Sequence, residues 1–249
     1  MRTTSSNKKT DCVRSRPTLN CFHQLLKFSG RTVSVCPKVP VIIVADTSAS
    51  MNGENITQLN QGLAQFQHEL VHNARTRAQV EVALMSFGNQ GVHVVRDFAP
   101  MCKGVLPALQ AGGSTPMGEA VNKSLDILDA HTHLFKKVGI QFYQPWLVLL
   151  SDGGPTDDIS AVAARTRRMM RLGELNMIAV GVGCRADYQT LGSFCWQRPA
   201  FSLKKLCFNE FFTWLSRSIQ FVSPVHMNGR TLALPSPDSW QDSERESQS

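Results

Sequence analysis

The stretch Val39-Pro40-Val41-Ile42-Ile43-Val44-Ala45-Asp46-Thr47-Ser48-Ala49-Ser50 joins an unbroken apolar run to a carboxylate and three hydroxyls. A short run with no polar alternation suits a strand covered on both faces, as in a parallel sheet. The same signature recurs twice. Trp146-Leu147-Val148-Leu149-Leu150 leads into Ser151-Asp152-Gly153-Gly154, and Met177-Ile178-Ala179-Val180-Gly181-Val182 leads into Gly183. Polar or glycine residues thus follow the apolar runs directly, where each strand would leave the core.

The segments between these runs have a different period. Ile56, Leu59, Leu63, Phe66 and Leu70 recur at 3-4-3-4 spacing and define one helical face. Gly112-Gly113-Ser114-Thr115 is a loop, and Pro116 suits the first turn of a helix through Val121, Leu125 and Leu128. Further helices are expected over Asp158–Leu172 and across Phe211, Leu215 and Ile219, with a short strand near Phe201. Val80–Phe87, the turn Gly88-Asn89-Gln90-Gly91, and Val92–Phe98 read as a hairpin at a sheet edge. Strands alternating with helices imply a doubly wound, Rossmann-like α/β fold. Its sheet is mostly parallel, with one antiparallel edge strand. Right-handed crossovers collect the loops that follow the parallel strands at one edge, where ligands bind.

The chain has 249 residues, of which 42% are apolar, enough for one large core. Its net charge of +7 is localised. Residues 1–38 hold eight basic side chains against Asp11 alone, while the other 211 residues carry 18 basic and 18 acidic groups. The folded part therefore has no charge bias toward nucleic acid. Residues 1–38 read as a basic, disordered tail, 39–222 as the domain, and 223–249 as a polar C-terminal tail that is disordered from Pro235 onward. No apolar run is long enough for a membrane helix or a signal peptide, so the expected location is cytoplasmic. The seven cysteines, Cys12, Cys21, Cys36, Cys102, Cys184, Cys195 and Cys207, are odd in number and include no Cys-x-x-Cys pair. Reduced, mostly buried thiols are expected.

Three segments converge on the ligand edge of such a sheet: Asp46-x-Ser48-x-Ser50 after the first strand, Thr115 in the glycine-rich loop, and Asp152 after the Trp146–Leu150 strand. Two carboxylates and three hydroxyls form an all-oxygen set. That chemistry suits Mg²⁺ or Mn²⁺, with Ca²⁺ as a further candidate, and disfavours zinc and copper. Neutral serine ligands leave the ion much of its positive charge. An octahedral ion held in this way keeps an open or water-filled position that a partner's Asp or Glu carboxylate can take.

Asp46-x-Ser48-x-Ser50, Thr115 and Asp152 resemble the metal-ion-dependent adhesion site (MIDAS) of von Willebrand factor A domains, and the likeness extends over roughly residues 39–222. Longer stretches resemble the bacterial tellurium-resistance TerY-like subgroup. These are Asp46–Met51, Gly118-Glu119-Ala120, Ser151–Asp158 and Phe211–Ser216; Ala49 stands where glycine is common in that subgroup. The resemblance implies that the first and fourth strands are neighbours. It implies that Ser48, Ser50 and Thr115 coordinate the ion, with Asp46 and Asp152 around it directly or through water. It also implies a protein-binding function in tellurite and stress resistance, alongside a protein kinase and a phosphatase.

Other readings are weaker. Asp46-x-Ser48-x-Ser50 alone could cap a helix. A metal-dependent hydrolase or phosphatase usually needs a second acid two residues after its nucleophilic Asp, and Ser48 stands there, so no enzymatic activity is expected. Gly181-Val182-Gly183-Cys184-Arg185-Ala186 matches a loose dinucleotide fingerprint but lies on a late strand, so a tight turn is the expected role. His131 and His133 read as exposed residues at the end of a helix. Arg165, Arg167, Arg168 and Arg171 read as a solvated helix face. Deleting residues 1–36 should leave the melting temperature nearly unchanged in a thermal scan; a large drop would show that the basic segment packs on the domain.

Overall fold

The computed structural model describes residues 36–88, 91–183, 186–196, 198–204, 207–220, 234–237 and 240–241. The basic segment read as a disordered tail falls, over residues 1–35, outside the described residues. So do Cys12, Cys21 and Cys184.

Six strands form one sheet. They are β1 (Val39–Thr47), β2 (Val80–Gly88), β3 (Gly91–Pro100), β4 (Trp146–Ser151), β5 (Asn176–Val182) and β6 (Phe201–Leu203). Their spatial order is β3-β2-β1-β4-β5-β6, and β3 alone runs antiparallel to its neighbour. The helices are α1 (Glu54–His72), α2 (Ala74–Gln79), α3 (Met117–Val138), α4 (Ser160–Arg171), α5 (Tyr188–Ser193) and α6 (Phe208–Gln220). The short α2 and α5 were not foreseen, because six residues are too few to show a helical period.

Strand β1 explains the two-layer cover. Val41, Ile43 and Ala45 pack into one core with Leu59, Leu63 and Phe66 of α1 and Phe211 and Leu215 of α6. Ile42 and Val44 pack into the other with Val121, Leu125 and Leu128 of α3 and Val162 of α4. Alternate side chains of a strand point to opposite faces, so a strand with helices on both sides must be apolar at every position. Each such side chain contributes about 1.5–3 kcal/mol when fully buried. Helices α1 and α6 approach closely at Gly62 of α1, where a Cβ would lie 2.6 Å from the Phe212 ring of α6.

Several side chains depart from the sequence reading. Residues 234–237 and 240–241 are placed against the domain, and Trp240 is fully buried, so this part of the C-terminal segment is not a disordered tail. Its anchor is one aromatic residue in a polar stretch, too little for a periodic signal. Cys36 and Cys102 are exposed, and among the described cysteines only Cys195 is buried. Burial pushes the Cys195 thiol up to about 11. The arginines of α4 are only partly a solvated face. Arg165 pairs with Asp126 and Asp129 of α3 at 2.6 and 2.9 Å, and Arg171 lies over the Trp196 ring.

His131 departs furthest. It sits within α3, its ring stacked on Phe98, with Nε2 3.0 Å from Glu81 Oε2. Lys38 Nζ lies 3.5 Å from the other Glu81 oxygen. Burial works to raise the Glu81 carboxyl, but the His131 hydrogen bond and the Lys38 charge outweigh it and hold the group below its usual 4.5. A carboxyl with a lowered folded-state pKa adds stability above its unfolded value, and that stability is lost as pH falls through the folded value. Glu81→Gln should cost about 1–3 kcal/mol at neutral pH. In melting curves its deficit relative to the parent should shrink below pH 4.5; a pH-independent deficit would assign Glu81 a packing role only.

Candidate metal centre

β1 and β4 are neighbours, with Ala45 paired to Leu150, so the residues that follow each strand meet at the carboxyl edge of the sheet. Asp46 is completely buried there. Its Oδ1 accepts the Ser48 backbone N–H at 2.7 Å, and its Oδ2 accepts the Ser151 hydroxyl at 2.5 Å. Leaving the strand, the chain aims Asp46, Ser48 and Ser50 into one cluster. The intervening Thr47 turns away and donates to the Phe87 carbonyl of β2. Ser48 Oγ and Ser50 Oγ lie 3.0 Å apart, and Ser50 Oγ donates to Asp152 Oδ1 at 2.6 Å. The Asn55 amide lies 3.4 Å from the other Asp152 oxygen.

The glycine-rich loop is fastened to this turn by its backbone. Gly112 N–H donates to the Thr47 carbonyl at 2.7 Å, and Ala49 N–H to the Gly113 carbonyl at 3.1 Å. Thr115 follows, nearly buried. Its N–H donates to the Thr156 hydroxyl, and its carbonyl accepts the Thr156 N–H at 2.9 Å. Thr115 is thereby tied to the loop after β4, while its hydroxyl is not part of the hydrogen-bonded cluster. Asp157 of that loop accepts from the Gly118 and Glu119 N–H groups at 3.0 and 2.8 Å, capping α3 from outside its own sequence. The close approach needs Gly118, since a Cβ there would lie 2.7 Å from the Asp158 carbonyl oxygen.

All five residues singled out from the sequence thus lie in three mutually bonded loops, four of them in direct side-chain contact. Ser151, Asn55, Thr156 and Asp157 were not assigned roles there. Ser151 had a visible signal, as the last residue of a buried strand beside Asp152. Asn55 had none, because only the packing of α1 brings it to the site. A second asparagine is also engaged: the Asn122 side-chain oxygen accepts from Arg165 at 2.8 Å. At the dinucleotide-like stretch, Gly181 packs against the Tyr188 ring of the six-residue α5.

Burial pushes the Asp46 carboxyl up; the Ser151 and Ser48 hydrogen bonds oppose this, and the Asp152 charge adds to it. Two facing carboxylates, one fully buried and beyond reach of any cation among the described residues, are an arrangement that a bound cation relieves. The donor chemistry fits a hard ion, with hydroxyl and carboxylate oxygens and no sulfur or imidazole. Among the described residues no group of three or more His, Cys, Asp or Glu side chains could hold a metal, so an ion here must rely on the hydroxyls.

A family model described as the von Willebrand factor type A domain matches residues 41–205. The chain belongs to this family. Solved structures with the same fold include the ArnB paralog VWA2 from Sulfolobus acidocaldarius, at 17% identity and TM-score 0.52, covering 74% of this chain and 46% of that one. The pilus adhesin SpaC from Lactobacillus rhamnosus GG aligns at 15% identity and TM-score 0.58, covering 74% and 30%. The proximal thread matrix protein 1 of the mussel byssus, with a zinc-occupied MIDAS motif, aligns at 14% identity and TM-score 0.50, covering 74% and 48%. The chain spans less than half the length of each of these three proteins. No curated protein sequence matches it. Among the described residues no helix is long and apolar enough to cross a membrane.

The von Willebrand factor A fold makes the Asp157 cap testable. Asp157→Ala leaves two N–H groups at the start of α3 without their acceptor and should cost about 1 kcal/mol. Urea unfolding should show this loss with an unchanged slope; no loss would mean that water replaces the cap without penalty.

Proposed function

We propose that this von Willebrand factor A domain is a divalent-cation-dependent protein-binding module whose MIDAS is formed by Asp46, Ser48, Ser50, Thr115 and Asp152. The observation that carries the reading is the continuous contact from Asp46 through Ser48 and Ser50 to Asp152, assembled from the ends of two adjacent strands. Ser48, Ser50 and Thr115 would hold Mg²⁺ or Mn²⁺, with Asp46 and Asp152 balancing its charge. The zinc reported in the mussel protein's MIDAS supports a divalent ion in this type of site. The bound ion supplies an electrophilic centre on which a partner's Asp or Glu carboxylate docks.

The site binds and does not catalyse. Both oxygens of Asp46 are committed to Ser48 and Ser151, and no acid stands at the Ser48 position to protonate a leaving group. Within the family, the stretches Asp46–Met51, Ser151–Asp158 and Phe211–Ser216 favour a TerY-like role in a bacterial, cytoplasmic tellurite- and stress-resistance system with a kinase and a phosphatase as partners. Co-purification of such enzymes with the tagged chain, lost in EDTA, would support that assignment; capture of unrelated partners would remove it.

Mg²⁺ or Mn²⁺ should raise the melting temperature of the metal-stripped parent, because only the folded state binds the ion. Ser48→Ala loses a ligand and Asp152→Ala a balancing charge, while the apolar strands are untouched. Both should unfold cooperatively, lose the metal-induced shift and fail to capture partners. Calorimetry on stripped protein gives the ion preference. Tight zinc binding with no Mg²⁺ or Mn²⁺ response would overturn the choice of ion, and an Asp152→Ala variant that responds as the parent does would overturn the site.

A further inference from the structure

Strand β6 lies at the sheet edge opposite β3, and only three residues long it offers little pairing of its own. Its outer side is not bare. Leu203 forms an antiparallel bridge with Gln241, and the Lys204 N–H donates to the Trp240 carbonyl at 2.8 Å. Trp240 enters a slot made by Phe201 of β6 and Phe211 and Trp214 of α6, with ring centroids 5.3, 5.0 and 5.0 Å away. The Trp214 indole N–H donates to the Pro235 carbonyl at 2.9 Å. The Pro237 carbonyl accepts from the N–H groups of Trp240 and Gln241 at 3.0 and 2.9 Å, which folds the segment into a turn.

These are the parts of a peptide-recognition site: main-chain pairing to an exposed edge, one deep pocket for a large side chain, and one polar clamp on the backbone. We propose that the β6 edge and its aromatic slot are a docking site for a segment with an aromatic anchor on a tight turn and prolines before it. The chain fills it in cis with Leu234–Pro237 and Trp240–Gln241, and a partner segment of the same chemistry takes their place.

Two observations mark this segment as a tethered cover of the core that Trp240 completes. It is reached only after thirteen further residues beyond the end of α6 at Gln220. A cleft of about 410 Å³ runs beside the segment, with Pro235 and Ser236 on one wall and Gln65 and Thr213 on another, so its flank is not sealed. Pro235 and Pro237 restrict the free segment and lower the entropy lost on docking. The inference does not rest on the proposed metal site.

The test uses the full chain and a fluorescent synthetic peptide of residues 232–243. In the parent, the amide protons of Lys204 and Gln241 should exchange with deuterium at least about 100-fold faster than those of Ile43 and Val148, as expected for a local opening. Full-length Trp240→Ala should bind the peptide saturably, and a peptide carrying the same substitution should not bind. The parent should bind about tenfold or more weakly, because its tethered segment competes at high effective concentration. If the Lys204 and Gln241 amides exchange only with global unfolding, the segment is integral core and the proposal falls. A folded Trp240→Ala chain that ignores the peptide has the same consequence. Should Trp240→Ala fail to fold, exchange in the parent decides alone.

Discussion

A carboxylate with no exposure at the end of the central strand is the constraint around which this molecule is arranged. Asp46 cannot be moved to the surface without pulling β1 out of a sheet that covers it on both faces. A buried charge must be compensated locally. The Ser48 N–H and the Ser151 hydroxyl supply part of that compensation, yet Asp152 adds a second negative charge nearby. The protein alone therefore leaves an excess of negative charge in a place with little water. Under the proposed function, a divalent cation is the complement of that charge.

The other features of that edge hold three loops in register. Gly112 and Gly113 allow the backbone to bond to Thr47 and Ala49, and Gly118 lets the Asp157 loop come close enough to cap α3. Thr115 and Thr156 link the second and third loops. Because the first and third loops depart from β1 and β4, their spacing is inherited from the pairing of those strands. For the proposed ion such preorganisation would matter, since binding mostly by neutral hydroxyls would offer little energy for rearranging loops.

The opposite end and the far edge of the sheet are closed by other means. Glu81, Lys38 and His131 bring β1, β2 and α3 together at the base, and the Trp240 segment covers β6. Both depend on isolated residues in stretches that carry no period. His131 looked like part of an exposed pair because sequence spacing says nothing about Phe98 stacking on its ring from β3. Trp240 looked like part of a polar tail because one buried aromatic does not alter the composition around it.

What the sequence determined by itself was the set of buried strands, the two-sided cover and the edge where the hydroxyls and carboxylates gather. Val41–Ala45 and Trp146–Leu150 are short apolar runs bounded by polar and glycine-rich residues, which fits strands covered on both faces. The residues directly after them, Asp46 through Ser50 and Ser151-Asp152, had to lie at the sheet's edge. Tertiary structure alone decided which side chains meet there and elsewhere. The Ser50–Asp152 contact spans 102 residues, and the bond from Ser151 to Asp46 spans 105. Asn55, Asp157 and Trp240 were assigned by packing. The physical reason is the range of the interactions. Hydrophobic periodicity is written in neighbours three or four residues apart, whereas a hydrogen bond or a ring contact between distant segments depends on where the folded backbone brings single atoms.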